Sequence, residues 1–490
     1  MSHATGGLPQ SHCTVIRPRA PESSAPLAPE LLLSGDMTQP AEAIEPPVVA
    51  LRPRWSKGLP FLARAPEISQ RQWAVLGLVS LASLFDQYDR SLMALALPQI
   101  QAGLGISEGQ VGVLASIVRM GSLPALFIAL SADRIGRRRA LLGTVLAYTA
   151  LTGASALAPD PRTFIALQFL SRVFGTAEML LAVVVISEEF GAHARGWGVG
   201  AFFAIQSCGA GLAALLLPLA ASFPNGWRGL YLVGLGPLLL LAWLRRSLPE
   251  TPRFEARQRA LGSQLAESSF FVPLLSLVRA YPGRFAAVAL QLFCMGVGYS
   301  AADFLGPKYL LQGRGWTPGQ MSTLYLIGGL MAIFGAPVLG RLGDRLGRRP
   351  VAIGASLALV GCVLAFYNAS GPWLVPLWIA GIFSVTGHEA VLSAYGAELF
   401  PTSHRSTAAG ARLIVGTLAG SLGLLLESAL YSITGSHWHA VSILMFVALG
   451  SPIVIAFAFP ETAGRSLEEI SPERDALHVG DSHESAHAPR

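Results

Sequence analysis

The sequence predicts an all-α polytopic membrane protein with twelve transmembrane helices in two pseudo-symmetric six-helix bundles. First, 52% of the 490 residues are hydrophobic and only 13% are charged, about half the charged share of roughly 25% in soluble domains. Second, apolar windows of about 20 residues recur, which is the length that a helix needs to cross a bilayer. Third, charged landmarks in the first half of the chain return in the second half at a nearly constant spacing.

The apolar windows form two sets of six. The predicted spans are residues 73–98, 110–131, 140–158, 163–186, 197–221, 229–244, 285–309, 320–340, 350–368, 373–396, 408–432 and 439–459. Between and around them we expect a disordered cytoplasmic segment at 1–70, a first bundle at 71–244, a central cytoplasmic loop at 245–284, a second bundle at 285–460 and a cytoplasmic tail at 461–490.

Arginine residues set the predicted orientation. The loops on one side of the membrane hold Arg134, Arg137, Arg138, Arg139, Arg195, Arg245, Arg246, Arg253, Arg257, Arg259, Arg341, Arg345, Arg348, Arg349 and Arg405. The alternate loops hold little: Arg162, Arg228 and Arg314. Because cytoplasmic loops carry an excess of Lys and Arg, both termini are predicted to be cytoplasmic. The four cysteines lie far apart without a CxxC pair, so no metal site is predicted.

The two halves repeat one another. The landmark Asp133-Arg134-x-Gly136-Arg137-Arg138 returns 211 residues later as Asp344-Arg345-x-Gly347-Arg348-Arg349. The pair Glu188 and Arg195 returns as Glu398 and Arg405 at an offset of 210, and Pro249-Glu250-Thr251 returns as Pro460-Glu461-Thr462 at 211. In transporters built from two such halves, the substrate site lies at the membrane midplane between them.

These loops resemble the signature loops of the major facilitator superfamily. "ADRIGRRR" and "GRLGDRLGRR" look like its loops between helices 2 and 3 and between helices 8 and 9. "PETPRF" at 249–254, "ELFPTSHR" at 398–405 and "PETAGRSLEEI" at 460–470 are similar to the sugar-porter branch and its metabolite:proton relatives. The seventh span departs from the sugar-porter pattern, with a single Gln291, and the tenth span has Ser393 where sugar porters usually place Trp. The resemblance therefore implies the fold and secondary transport, and it leaves the substrate open.

The charged loops are expected to form a cytoplasmic gate. In the family such groups latch the inner ends of the two halves, and acid–base pairs at a partly desolvated seam favour the state closed to the cytoplasm. A role in topology alone would not explain acids repeated at nearly the same offset. The predicted gate residues are Asp133, Arg134, Arg137, Arg138, Glu188, Arg195, Glu250, Asp344, Arg345, Arg348, Glu398, Arg405 and Glu461.

The first span contains the stretch "LFDQYDRSL", which places Asp86 and Asp89 inside apolar sequence. Ionisable groups at this depth are functional candidates because their burial is costly. Arg90 follows Asp86 by four residues and can pair with it along the helix. The resemblance implies that Asp89 is linked to proton coupling with Arg172 of the fourth span as its partner. Protonation of Asp89 would then release Arg172, and the alternative is a static buried ion pair.

Polar residues in other spans are candidates for the substrate cavity. Arg119 in the second span suits a substrate carboxylate or phosphate, or it pairs with an acid of the first span. Glu178 and Glu389 occupy equivalent positions of the two halves and are expected to face each other across the cavity, unless a protonated Glu only bonds a neighbouring helix. The remaining predicted lining residues are Gln206, Gln291 and His388.

His388 precedes Glu389 and would point about 100° away from it on a helix, so both need not line the cavity. It is also a candidate proton carrier. Asp303 and Lys308 fall towards the outer end of the seventh span with Gly306-Pro307 between them, where a broken helix would suit an outer gate. Lys308 is expected to extend to the membrane interface.

The sequence contains no HExxH, P-loop or GxSxG motif, so enzyme activity and ATP-driven transport are not predicted. We predict a secondary active transporter of a small polar organic metabolite, sugar-like or an organic acid, by proton symport with alternating access. The alternatives are a proton-driven efflux antiporter for an amphipathic or cationic compound and a non-transporting membrane sensor. The expected setting is a monomer in the lipid bilayer of the plasma membrane, driven by the proton gradient, with no cofactor, no metal and no nucleic-acid partner.

Overall fold

A computed structural model describes residues 66–223, 226–244, 271–465 and 467–471. Within these ranges the regular structure is helical, and no strand occurs. Only residues 66–70 of the predicted N-terminal segment and residues 461–465 and 467–471 of the predicted tail are described; residues 245–270 of the predicted central loop, and with them Glu250, lie outside the described residues. The last part of that predicted loop contains a helix, Phe271–Ala280.

The first half contains α1 (Gln70–Leu95), α2 (Leu97–Leu104), α3 (Val111–Met120), α4 (Ala125–Ile135), α5 (Arg137–Ala156), α6 (Pro161–Glu189), α7 (Ala192–Leu216) and α8 (Trp227–Leu244). The second half contains α9 (Phe271–Ala280), α10 (Pro282–Lys308), α11 (Pro318–Leu346), α12 (Arg348–Asn368), α13 (Leu374–Glu398), α14 (Arg405–Thr434), α15 (His437–Ala448) and α16 (Gly450–Ala458), followed by α17 (Leu467–Ile470). Nine helical segments of this described part are long and apolar enough to span a membrane.

Local sequence fixes several helix ends. Ser69 accepts a bond from the Gln72 backbone N–H at 3.2 Å, and the Gln72 side chain accepts the Ser69 backbone N–H at 2.9 Å. Thr317 and Gln320 form the same capping box before α11. Each box satisfies N–H groups that the first helical turn leaves without partners.

The repeated loop has the same backbone conformation in both halves. Gly136 connects α4 to α5 with φ 102° and ψ 142°, and Gly347 connects α11 to α12 with φ 105° and ψ 141°. Residues with a β-carbon rarely adopt this positive φ, which is why glycine occupies the turn in each copy. We call the end of the bundle that carries these turns the Arg-rich end, and the opposite end the Arg-poor end.

The helices pack into two halves that contact one another through several elements. Helix α1 packs along α7 in the first half, and α10 packs along α14 in the second. Between the halves, α3 packs on α14, α7 on α11, and α1 on α10. At Gly112 of α3, a β-carbon would collide with the Leu424 carbonyl of α14, so glycine permits the close approach of the halves. Large apolar side chains such as Phe127 and Phe457 face outwards, as a bilayer requires.

Candidate functional site

Three charged side chains from both halves lie within electrostatic range in the interior. Arg119 comes from α3, Asp303 from α10 and Glu389 from α13, and the guanidinium interacts electrostatically with both carboxylates. Asp303 and Glu389 are exposed although they lie in membrane-spanning helices, so they border accessible space. The guanidinium lies against Gly420 of α14, where a β-carbon would collide with it. The arrangement can bind an anion at Arg119, and a proton, hydroxyl group or cation at the two carboxylates.

The first-helix acids have different partners. Asp86 forms an ion pair with Arg90 at 2.5 Å, as the spacing of the two residues predicts. Asp89 is buried and accepts a bond from the Thr152 hydroxyl of α5 at 3.1 Å. It interacts electrostatically with Arg172 of α6 without an ion pair between them in the described structure. Oδ1 of Asp89 and Nε of Arg172 are buried without hydrogen-bond partners, so this is a place where a proton or a change of conformation can alter the bonding.

Three predicted cavity residues are instead buried within one half, which corrects the prediction. Glu178 accepts a bond from Ser83 of α1 at 2.7 Å, Gln291 donates to Ser451 of α16 at 3.0 Å, and His388 bonds Ser356 of α12 at 3.1 Å. These residues are 2%, 1% and 4% exposed. Gln206 of α7 is also buried, at 8% exposed.

The physical reason is that a polar side chain inside a helix interface takes the nearest hydroxyl partner, because water is excluded. Glu389, one residue after His388, is turned by about 100° and reaches the accessible interior. The equivalent positions Glu178 and Glu389 therefore have different surroundings, and they do not face each other across a cavity as predicted.

The predicted gate residues pair within each half. Arg137 binds Glu188 at 3.0 Å in the first half, and Arg348 binds Glu398 at 2.7 Å and Asp344 at 3.3 Å in the second. The reason is that each Arg begins a helix directly after the glycine turn, beside the end of α6 or α13 of its own half. The structure therefore shows two equivalent clamps, one in each half, and the latch between the halves stays a prediction.

Other predicted gate residues lie around these clamps. Glu461 accepts the backbone N–H groups of Arg348 and Arg349 at 2.8 and 3.1 Å. Burial would raise its pKa, but four donated backbone N–H groups outweigh this and hold the pKa below its ordinary value. Arg405 donates to the Phe400 carbonyl at 3.4 Å. The others lie at the same end of the bundle: Arg138 on α5, Arg195 on α7, Arg345 on α11, and Asp133 and Arg134 on α4. The side chains of Asp133 and Arg134 are outside the described part.

A charged cluster that the sequence did not predict joins the halves at the Arg-poor end. Lys308 of α10 binds Glu108 and the side chain of Gln101, both from the first half. His437, the first residue of α15, contacts Glu108 and Glu427. Lys308 is only 2% exposed, so the expectation that it extends to the membrane interface is wrong. The sequence feature that could have indicated this cluster is the presence of Glu108, Lys308 and His437 beside loops that contain few Arg residues.

Comparison with known proteins identifies the family that has this architecture. A family model described as the Major Facilitator Superfamily matches residues 79–424 and 315–480. A putative metabolite transport protein of Haemophilus influenzae is 27% identical over 405 residues, which covers 78% of this chain and 95% of that protein. A gallate transporter of Pseudomonas putida is 28% identical over 397 residues, which covers 75% of this chain and 87% of that protein.

Among solved structures, the inward-open xylose transporter XylE from E. coli matches with a TM-score of 0.67 and 18% identity, covering 83% of this chain and 99% of that one. The likeness establishes the fold, with its two bundles of membrane-spanning helices. The chain belongs to the major facilitator superfamily, and it is a multi-pass secondary transporter of small organic metabolites and not an enzyme.

Proposed function

We propose that this protein carries a small organic acid across the membrane together with protons, by alternating access. Arg119 binds the substrate carboxylate, and Asp89 with Arg172 couples the cycle to protons. The observation that carries the proposal is the position of Arg119, whose guanidinium lies between the halves and acts on Asp303 and Glu389. The printed name of the Pseudomonas putida relative, a gallate transporter, supports a carboxylate as the substrate class.

The charges at the site give a reason for symport. A substrate carboxylate at Arg119 replaces the attraction that Asp303 and Glu389 supply, and it brings a third negative charge close to theirs. Protonation of Asp89 leaves the charge of Arg172, which acts on Arg119, without compensation, so the interior becomes more positive and anion binding is favoured. Substrate and proton therefore bind more strongly together than separately.

The proposal also covers the orientation in the membrane, the driving force and the oligomeric state. The Arg-rich end faces the cytoplasm with both termini, and the plasma membrane is the site of action. No cofactor is needed, because the proton gradient supplies the driving force. The monomer is the functional unit, since the charged interior is built from the two halves of one chain.

A second candidate is proton-driven efflux of a cationic compound. The exposure of Asp303 and Glu389 favours it, because two carboxylates in the interior attract a cation. In that function a proton and the cation compete for the carboxylates, whereas in the first function a proton and the anion bind together. The two candidates therefore predict opposite effects of acidification on substrate binding.

The test uses the purified full chain in proteoliposomes and small carboxylates that include gallate, each matched with its neutral amide. Acidification outside should drive uptake of a carboxylate and not of its amide. Arg119→Gln should weaken binding by about 1.5–3 kcal/mol, or about 10- to 150-fold, because a charged hydrogen-bonding group is lost. Arg119→Lys should fall between, because it keeps the charge but loses the planar fork.

Arg139→Gln, which removes an exposed charge at the Arg-rich end, is the matched control and should bind like the parent. If acidification weakens binding of an amine and no carboxylate is taken up, the efflux function is the correct one. If Arg119→Gln binds the carboxylate as tightly as the parent does, Arg119 is not the substrate ligand.

A further inference from the structure

We propose that the charged cluster at the Arg-poor end binds one proton whenever that end closes, which makes it a second proton site, separate from Asp89. The gate cluster is Gln101, Glu108, Lys308, Glu427 and His437. This inference rests on the proposed alternating access, but it depends neither on the identity of the substrate nor on proton symport.

The cluster connects the two halves through their side chains. Glu108 and Gln101 belong to the first half, and Lys308, Glu427 and His437 belong to the second. Lys308 Nζ donates to Gln101 Oε1 at 2.6 Å and binds Glu108, while Gln101 Nε2 donates to Glu108 at 3.2 Å. The bonds from Lys308 to Glu108 and Gln101 join the two halves, so they must break when the Arg-poor end opens.

Serine side chains of α14 bond to the backbone of α3 and close the same end. The Val113 backbone N–H donates to Ser428 Oγ at 3.1 Å, and Ser421 Oγ lies 3.5 Å from the Ser116 carbonyl oxygen. The gate cluster therefore sits at the edge of a closed seam. Glu108, with a 44% exposed side chain, is the member that outside water reaches directly.

Both nitrogens of the His437 ring face carboxylate oxygens. Nδ1 lies 2.5 Å from Glu427 Oε1, and Nε2 lies 3.1 Å from Glu108 Oε2. A neutral imidazole has one N–H and one lone pair, so it can donate to only one of two ionised carboxylates. The other nitrogen would then present a lone pair to a carboxylate lone pair. The short contacts therefore require one additional proton, either on the ring or on Glu427.

The charge count leads to the same conclusion. In the closed cluster, Lys308 balances Glu108, which leaves the fully buried Glu427 without a compensating charge unless the additional proton is present. An uncompensated buried carboxylate is costly. When the halves separate, Glu108 departs, Lys308 is left to balance Glu427, and the additional proton is no longer required. Closing thus takes up a proton, and opening returns it to the same side.

The other titratable groups around His437 do not supply this proton. His439 on the same helix is exposed, and Tyr431 of α14 stacks on the ring at 4.1 Å. Tyr309 and Tyr367, which pack against α15 from the second half, donate their hydroxyls to backbone carbonyls. The nearby Arg314 donates to the Tyr309 hydroxyl oxygen at 2.8 Å. The proton therefore belongs to the Glu427–His437 pair.

The experiment measures closure of the Arg-poor end directly. Spin labels are placed at the exposed positions Arg162 of the first half and Ser370 of the second, in the full chain with its native cysteines replaced by serine, in lipid nanodiscs. Electron–electron distances are recorded from about pH 8 to about pH 5. Uptake of one proton on closing should raise the closed-to-open ratio up to about tenfold for each unit of acidification.

Two variants should lose this pH dependence, one with the Arg-poor end closed at every pH and the other with a smaller closed fraction at every pH. Glu427→Gln supplies a permanent N–H to the ring and removes the buried charge, so the end should stay closed at every pH. His437→Gln removes the imidazole that shares the proton with Glu427, so the closed state loses its proton-dependent bond and the closed fraction should fall at every pH. His439→Gln, two residues further along α15, is the matched control and should keep the slope of the parent.

The proposal is overturned if the labelled parent shows no pH dependence, or if Glu427→Gln and His437→Gln both keep its slope. Asp89→Asn should keep the part of the slope that His437→Gln removes, since Asp89 lies outside the gate cluster. Loss of the slope in Asp89→Asn together with its retention in His437→Gln would assign the proton to Asp89 and also overturn the gate site. A failure of the proposed symport would instead appear in uptake assays and leave these distances unchanged.

Discussion

Replacement of Asp89 by asparagine removes a buried negative charge but keeps a carbonyl oxygen for Thr152. In the wild-type chain Thr152 donates to one carboxylate oxygen at 3.1 Å, and the other oxygen is buried without a partner. An amide nitrogen at that second position would be without a partner just as the carboxylate oxygen is, so the number of unpartnered buried atoms does not change. The variant should therefore fold, and its shape near Arg172 should be preserved.

The effect on transport follows from the energy in the gradient. One proton moved across one pH unit supplies about 1.4 kcal/mol, which supports about tenfold accumulation of substrate. A monoanion that moves with one proton carries no net charge, so the membrane potential adds nothing. If Asp89 carries the coupling proton, Asp89→Asn should reduce the accumulation ratio from about tenfold to about unity, while exchange of labelled for unlabelled substrate continues.

The assay is uptake into proteoliposomes with one pH unit imposed across the membrane. Asp160→Asn is the matched control, because Asp160 is an exposed helix cap and asparagine caps helices equally well. Concentrative uptake by the Asp89→Asn protein at the wild-type ratio would refute the coupling role. Equal loss in the Asp160→Asn protein would point to a general effect of charge removal.

Two further predictions concern the seam and the Arg-rich end. Gly112→Val should block the approach of α3 to α14, because any β-carbon there meets the Leu424 carbonyl. Distances between spin labels at the Arg-poor end should then show loss of the closed state. An unchanged closed fraction would contradict the packing argument. Glu461→Gln should lower thermal stability at neutral pH, because the carboxylate accepts N–H groups that begin α12. Since the pKa of Glu461 is lowered in the folded protein, its contribution is present above its ordinary pKa of about 4.5 and is lost as the pH falls below that value. Unfolding midpoints of parent and variant should therefore converge on acidification, and a constant difference across this range would contradict the assignment.

The two halves differ in the charges that they bring to the interior. In the first half, Asp86 pairs with Arg90, and Asp89 lies near Arg172. In the second half, Asp303 and Glu389 are exposed, and Arg119 of the other half acts electrostatically on both. Substrate binding at Arg119 therefore changes an interaction between the halves, which is the kind of contact that can bias their relative position.

The local sequence predicted features that depend only on neighbours along the chain. The Arg90 partner of Asp86 lies one helical turn away, so its pairing follows from helix geometry. Gly136 and Gly347 follow from the repeat, because the same turn needs the same positive φ. The partners of Lys308 and His437 could not be predicted in this way, since Glu108 lies 200 and 329 residues away in the chain.

Apolar length, loop charge and spacing are properties of the chain alone, so they suffice to predict membrane-spanning helices in two repeated halves. Which polar residues face the interior between the halves depends on how the helices pack. Glu178 and Glu389 are equivalent in the repeat, yet one bonds Ser83 inside a bundle and the other is exposed. The reason is that periodicity defines a face relative to a helix's own axis, whereas the rotation of that axis is set by packing against its neighbours.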